Sequence, residues 1–212
     1  MKTGRLYDDG CAAAHGLALV GDRWALLVVR ELLLGPKRFT DLRAGLSSIS
    51  PNVLTQRLEG LERASIVKRR KLPPPAAAWV YELTEWGMQL EPVLLSLGRW
   101  AARSPFLPPG TLNADSLILS FRTMFDAPDL DARIELRVGE EPFRALIKRG
   151  RMELVRGTAD DPDAIIEGVP HAFVEVAYAG RKFPGDLKIE GDKTIARRFM
   201  SAFPLPERAP AN

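Results

Sequence analysis

The chain has one cysteine, Cys11, and two histidines, His15 and His171, in 212 residues. A single thiol excludes an internal disulfide and any cysteine cage for zinc within one chain. So few imidazoles leave little material for a metal site or a catalytic triad, and neither a Gly-rich phosphate loop nor a nucleophile elbow is present. The Asp160, Asp161, Asp163 cluster reads Asp-Asp-Pro-Asp, which is first a turn. No apolar run reaches the roughly 18 residues that a membrane-spanning helix needs. The start, MKTGRLYDDG, lacks a signal peptide's apolar stretch. No repeat at solenoid periods and no low-complexity tract occurs. These absences point away from an enzyme, a metal, a cofactor and membrane insertion, and toward a soluble cytoplasmic protein.

What is present is unevenly distributed charge. The formal net charge is +3, yet residues 1–104 hold 15 Lys and Arg against 10 Asp and Glu, while residues 105–212 hold 15 against 17. The basic character therefore lies in the first half. Between the halves, Arg103 to Gly110 reads RSPFLPPG, which can neither continue a helix nor form a central strand. The expected organisation is an N-terminal domain over residues 1–104, a linker over 105–112, a second domain over 113–206 and a tail over 207–212.

The first half is mostly helical in pattern. CAAAHGLALV, residues 11–20, has helical composition. After Gly21, Asp22 is placed to cap a second helix, RWALLVVRELLLG, which is apolar on most sides and ends at Gly35. RFTDLRAGL then predicts a short helix with Phe39, Leu42 and Leu46 on one face. Ser50-Pro51 marks another helix start, serine as N-cap and proline at the first position. In that helix Leu54, Leu58 and Leu61 face a core, leaving Asn52, Thr55, Gln56 and Glu59 outside. Amide side chains near a helix N-terminus can read adenine through paired hydrogen bonds, and arginine can read guanine. VKRRKL (67–72) and WVYEL (79–83) predict two strands joined by PPPAAA, with Lys68, Arg69, Arg70 and Lys71 along them, beside phosphates or a minor groove. A charge run alone is usually a solvated face; here it follows an N-capped helix with a polar outer side. The expected DNA-contacting set is Arg38, Thr40, Ser50, Pro51, Asn52, Thr55, Gln56, Arg57, Lys68, Arg69, Arg70 and Lys71.

The near N-terminal Cys11, the Gly-Asp-Arg-Trp turn at 21–24, Ile-Ser-Pro at 49–51, Arg-Leu-Glu-Gly-Leu-Glu at 57–62 and Tyr-Glu-Leu-Thr-Glu-Trp-Gly at 81–87 occur together. Over residues 11–103 this chain resembles the HxlR family of bacterial winged helix-turn-helix transcription regulators. The resemblance implies a homodimer on a roughly palindromic DNA operator. TEWGMQLEPVLLSLGRWAARS would supply a dimerisation helix, with Leu90, Val93, Leu94, Leu97 and Trp100 in one apolar stripe; packing on the chain's own second half is the alternative. Some relatives sense oxidants through the equivalent cysteine, though this chain has Cys11-Ala12 where Cys-Pro is usual. Cys11 and His15 share a helix face, and a helix N-terminus and a nearby imidazolium both lower a thiol's pKa. Redox sensing, a small packed side chain and a metal site shared across a dimer all remain open for Cys11.

The second half mixes helices with short alternating strands. DSLILSFRTMF (115–125) predicts a helix, ARIELRV, PFRALIK and RMELVRG antiparallel strands, DPDAIIEG a fourth strand, PHAFVEVAYAG a helix, GDLKIEGD a fifth strand and KTIARRFMSAF a final helix. The fold class is thus α+β: a mostly helical domain with a hairpin wing, then a domain with a roughly five-stranded sheet. The order of elements, with DAIIEG and GDLKIEGD as its marks, resembles a sterol carrier protein domain. That implies a tunnel for a small lipophilic effector, for which Phe121, Phe125, Phe143, Phe173, Val176, Tyr178, Phe199 and Phe203 are the candidate lining residues; plain core is the other reading. The function expected is a DNA-binding regulator controlled by such a ligand or by oxidation of Cys11. The alternative is a carrier of hydrophobic ligands whose first half serves for dimerisation.

Overall fold

The computed structural model describes residues 10–107 and 110–211. The signal-peptide reading of residues 1–9, the linker's Pro108 and Pro109, and Asn212 of the tail lie outside the described residues. Two compact units are present, Met1–Leu94 and Leu95–Asn212. Among the described residues no single helix is long and apolar enough to cross a membrane.

The first unit contains α1 (Ala12–Val20), α2 (Ala25–Leu32), α3 (Phe39–Gly45), α4 (Pro51–Arg63), strands β1 (Val67–Lys71) and β2 (Trp79–Leu83), α5 (Glu85–Met88) and the beginning of α6 (Glu91–Ala102). Ser50 caps α4 as expected, its hydroxyl oxygen accepting from the Val53 N–H at 3.4 Å, with Pro51 at the first position. Leu54, Leu58 and Leu61 are fully buried, as are Val28, Val29 and Leu42 of the neighbouring helices. Each such leucine contributes about 1.5–3 kcal/mol. Asp22, however, does not cap α2. Trp24 takes the N-cap place with a left-handed backbone (φ 79°), and the Asp22 carboxylate instead pairs with Arg57 of α4.

The segment after β2 is also not one helix. Thr84 caps α5 by accepting from the Gly87 N–H at 3.0 Å, and the chain turns at Gln89 and Leu90 before α6 begins. Pro92 explains the break, because an uninterrupted helix would need its missing N–H. Gly87 is packed so closely on the backbone carbonyl of Ile66 that a Cβ there would lie 2.1 Å from its oxygen. That contact seats α5 on the base of the hairpin.

The second unit starts inside α6, whose Arg99 donates to the Thr123 carbonyl at 2.9 and 3.2 Å. It continues with α7 (Ala114–Met124), β3 (Ala132–Val138), β4 (Glu141–Lys148), β5 (Arg151–Arg156), β6 (Ala164–Gly168), α8 (Pro170–Ala177), β7 (Lys188–Gly191) and α9 (Lys193–Met200). The five strands form one sheet in the order β5-β4-β3-β6-β7, antiparallel except for the parallel pair β3 and β6. Period-two burial puts Phe143, Ala145 and Ile147 on the covered face and Arg144, Leu146 and Lys148 on the other. The division between units falls ahead of the proline-rich segment because the last turns of α6 pack on α7.

Candidate nucleic-acid interface

Helices α3 and α4, joined by the turn through Ser47 and Ser48, form a helix-turn-helix whose inner sides are held by Leu42, Leu46, Ile49 and Leu54. The outer side of α4 near its N-terminus exposes Pro51, Asn52, Thr55 and Gln56. The Thr55 hydroxyl donates to the Pro51 carbonyl at 3.0 Å, so toward an outside partner it offers its methyl group and an oxygen that can only accept. Arg38 and Thr40 are exposed at the start of α3. There the Asp41 carboxylate accepts from the Arg38 backbone N–H at 3.1 Å and from the Thr40 hydroxyl at 3.2 Å. Arg57 departs from expectation: it is half-buried and held by Asp22. An arginine so engaged braces the α1–α2 turn against α4 rather than presenting a free cation.

The hairpin lies directly after this helix pair, and its cations are not free either. Lys68 and Arg70 share one side of β1, and both reach Glu82, which faces Lys68 on β2, at 3.1 and 2.5 Å. Burial acts to raise the Glu82 pKa, but the hydrogen bonds from Arg70 and Lys68 outweigh it and hold the carboxyl below the usual range. On the opposite side the Arg69 guanidinium stands 4.7 Å from the centre of the Trp79 ring and 5.9 Å from that of Tyr81. Lys71 is exposed at the strand end. Two cations and one carboxylate leave a net positive side, with Arg69 and Trp79 stacked on the other.

A feature that sequence reasoning missed fixes this hairpin in place. Glu31, in the apolar α2, is wholly buried, yet it accepts from Arg30 at 2.8 Å and from Lys37 at 2.6 Å. Lys37 also exchanges two backbone hydrogen bonds with Tyr81, at 3.0 and 2.8 Å, adding a one-residue third strand beside β2. The buried carboxylate thus ties the α2–α3 corner to the hairpin. The sequence signal was a lone acid inside an apolar helix, six residues before a lysine.

Cys11 is exposed and serves as the N-cap residue of α1. The backbone N–H groups of Ala13 and Ala14 lower its pKa against a smaller opposing effect of desolvation; the imidazole of His15 is not among the causes. His15 is exposed one turn along. Along α6, Val93, Leu97 and Trp100 are exposed, Trp100 at 72%, while Leu90 and Leu94 are half-covered. In the second unit Phe121, Phe143, Phe173, Phe199 and Phe203 are fully buried, and Phe125, Val176 and Tyr178 partly so. Phe121 stacks on Phe203 at 4.2 Å and meets Phe173, Tyr178 and Phe199 edge-on at 6.2–6.4 Å. Tyr178 bonds the Ser120 hydroxyl at 2.8 Å, and burial pushes its pKa up to about 12 despite that bond. Rings in mutual contact are what a filled core looks like.

Comparison with known proteins adds a second, independent line. A family model described as HxlR-like helix-turn-helix matches residues 19–105. The chain is 37% identical to the uncharacterized HTH-type transcriptional regulator YvaP of Bacillus subtilis (strain 168), over 39% of this chain and 77% of that one. It is 38% identical to the HTH-type transcriptional regulator YodB of the same organism, over 44% of this chain and 81% of that one. A solved structure of the reduced form of YodB aligns at 36% identity and a TM-score of 0.41, covering 47% of this chain and 97% of that chain.

Proposed function

Because the chain belongs to the HxlR-like helix-turn-helix family of DNA-binding transcription regulators, we propose that it reads an operator with α4 in the major groove. The observation that carries this is the division of α4. One side is locked into the core by three leucines, and the other, beginning at a capped N-terminus, exposes Asn52, Thr55 and Gln56. The β1–β2 hairpin lies against the adjacent phosphates through Lys68, Arg70 and Lys71, and Arg38 and Thr40 contact the backbone at the start of α3. Arg57 acts behind α4, through Asp22. Retention of the chain's own upstream DNA in a gel shift, followed by selection of bound genomic fragments, tests this reading; no sequence-dependent retention at micromolar protein would sink it.

The regulator acts as a homodimer on a roughly palindromic site, with recognition helices about 34 Å apart, one turn of DNA. The support is the exposed apolar side of α6 and the turn before it, Leu90, Val93, Leu94, Leu97 and Trp100, a surface of the kind that a second copy covers. Sedimentation giving a monomer at micromolar concentration would count against it. Cys11 supplies a redox input, since an exposed thiol with a lowered pKa is more thiolate and more reactive than an ordinary one. Mild peroxide or quinone treatment should modify Cys11 and change DNA affinity, and Cys11→Ser should abolish the response while His15→Ala leaves it intact. A lipophilic effector, or a carrier function, draws less support: such a ligand would have to part aromatic rings already in contact.

A further inference from the structure

The second unit carries a basic hairpin of its own, between β4 and β5, with the sequence Lys148-Arg149-Gly150-Arg151. Two features of it run against what makes a stable hairpin. Lys148 and Arg151 face each other directly across the antiparallel ladder, and like charges in that position repel. Arg149 has a left-handed backbone, φ 51°, at a turn position that favours Asn, Asp or Gly. Each departure places a positive charge at the tip. Asp131, the carboxylate that does reach the turn, accepts from the Arg149 backbone N–H at 2.8 Å. Among the described residues Lys148, Arg149 and Arg151 take part in no ion pair. All three are exposed.

Away from the tip the charge on this face is mostly paired, with Arg144 exposed among it. Farther along the same face Leu146 sits opposite Glu153, Arg137 pairs with Glu135 at 2.8 Å, and Lys188 pairs with Glu167 at 3.0 Å. We infer that the β4–β5 tip is a second anion-binding surface, and that its partner is the phosphate backbone of duplex DNA flanking the operator. This rests on the DNA-binding function proposed above. A helix that has already brought the chain to a duplex makes the second contact intramolecular, at high effective concentration. The four tip residues include no aromatic or aliphatic side chain of the sort that enters a membrane interface.

The test uses the full-length protein and two duplexes, the selected operator alone and the same operator with about 20 base pairs of unrelated sequence on each side. The wild type should bind the longer duplex about tenfold more tightly, with a salt slope steeper by about 5, as three phosphate contacts from each protomer of the dimer predict. Replacing Lys148, Arg149 and Arg151 together by alanine should remove that gain and leave the short duplex unchanged. Arg149→Asn separates charge from folding: it relieves the left-handed backbone and so should raise Tm, yet it should lower affinity for the long duplex. Equal affinity of the wild type for both duplexes, with the operator itself bound tightly, overturns the inference alone. Failure to bind either duplex overturns the proposed function and this inference with it. Cation-dependent binding to phosphatidylglycerol vesicles without a flank effect overturns it in favour of a lipid surface.

Discussion

β1–β2 and β4–β5 are both antiparallel hairpins bearing a run of cations, and they handle that charge in opposite ways. In the first, Glu82 takes Lys68 and Arg70 while Trp79 and Tyr81 hold Arg69. In the second, Lys148 is set against Arg151, and among the described residues no carboxylate pairs with either. A basic run in a sequence therefore says little about available charge until its cross-strand neighbour is known. The first hairpin is ordered before DNA arrives, which lowers the conformational cost of binding. The second keeps its full charge at the expense of its own stability.

The largest effect that sharpens this contrast concerns how the first hairpin is held. Glu31→Ala should take this carboxylate from the half-buried Arg30 and Lys37 and destabilise the first unit by about 1–3 kcal/mol, measured by urea unfolding. A loss below about 1 kcal/mol would mean that the corner does not depend on this pair. Next, Asn52→Ala or Gln56→Ala should cost about 1–3 kcal/mol at a single operator position while affinity for unrelated DNA holds steady. If either change weakened all duplexes alike, base reading would not belong to α4.

Smaller is the effect of Glu82→Gln, which releases Lys68 and Arg70. Affinity for every duplex should rise by about three- to tenfold at low salt, with a slope steeper by about 1; an altered sequence preference instead would break the comparison. The smallest is the response to acid. A carboxyl whose folded-state pKa is depressed stabilises fully above its unfolded value, and that contribution fades as pH falls through the lowered one. For Glu82 the window therefore lies at and below the ordinary carboxylate range. The Trp79 indole NMR signal should shift there as the hairpin loosens, and Glu82→Gln should remove the shift.

Much of this was legible in the residues themselves. Ser50-Pro51 and the Leu54, Leu58, Leu61 spacing fix α4 because capping and helical periodicity are local properties. Three strands of the second unit, β3, β4 and β5, are legible from alternation to within a residue at their ends. Illegible features were those decided by distant partners. Asp22 had two possible uses, capping the next helix or pairing with a residue 35 positions on, and tertiary packing chose Arg57. Glu31 stands alone as an acid in an apolar helix, and its partner Lys37 reaches it only once the chain has turned the α2–α3 corner. The two short helices at 85–102 were read as one because the apolar stripe outweighed Pro92, although proline's missing N–H was in plain view.

The seam inside α6 matters for anyone rearranging this molecule. A regulator with two modules invites grafting, and the obvious place to cut is the proline-rich segment that ends near Gly110. A cut there would carry the last turns of α6 away from Thr123, which Arg99 holds, and would separate Arg103 from Glu207 and Ala209 at the far end of the chain. A chimaera joined after Leu94 keeps those ties together. Its new partner would need to bring its own helix to finish the one that the first unit begins.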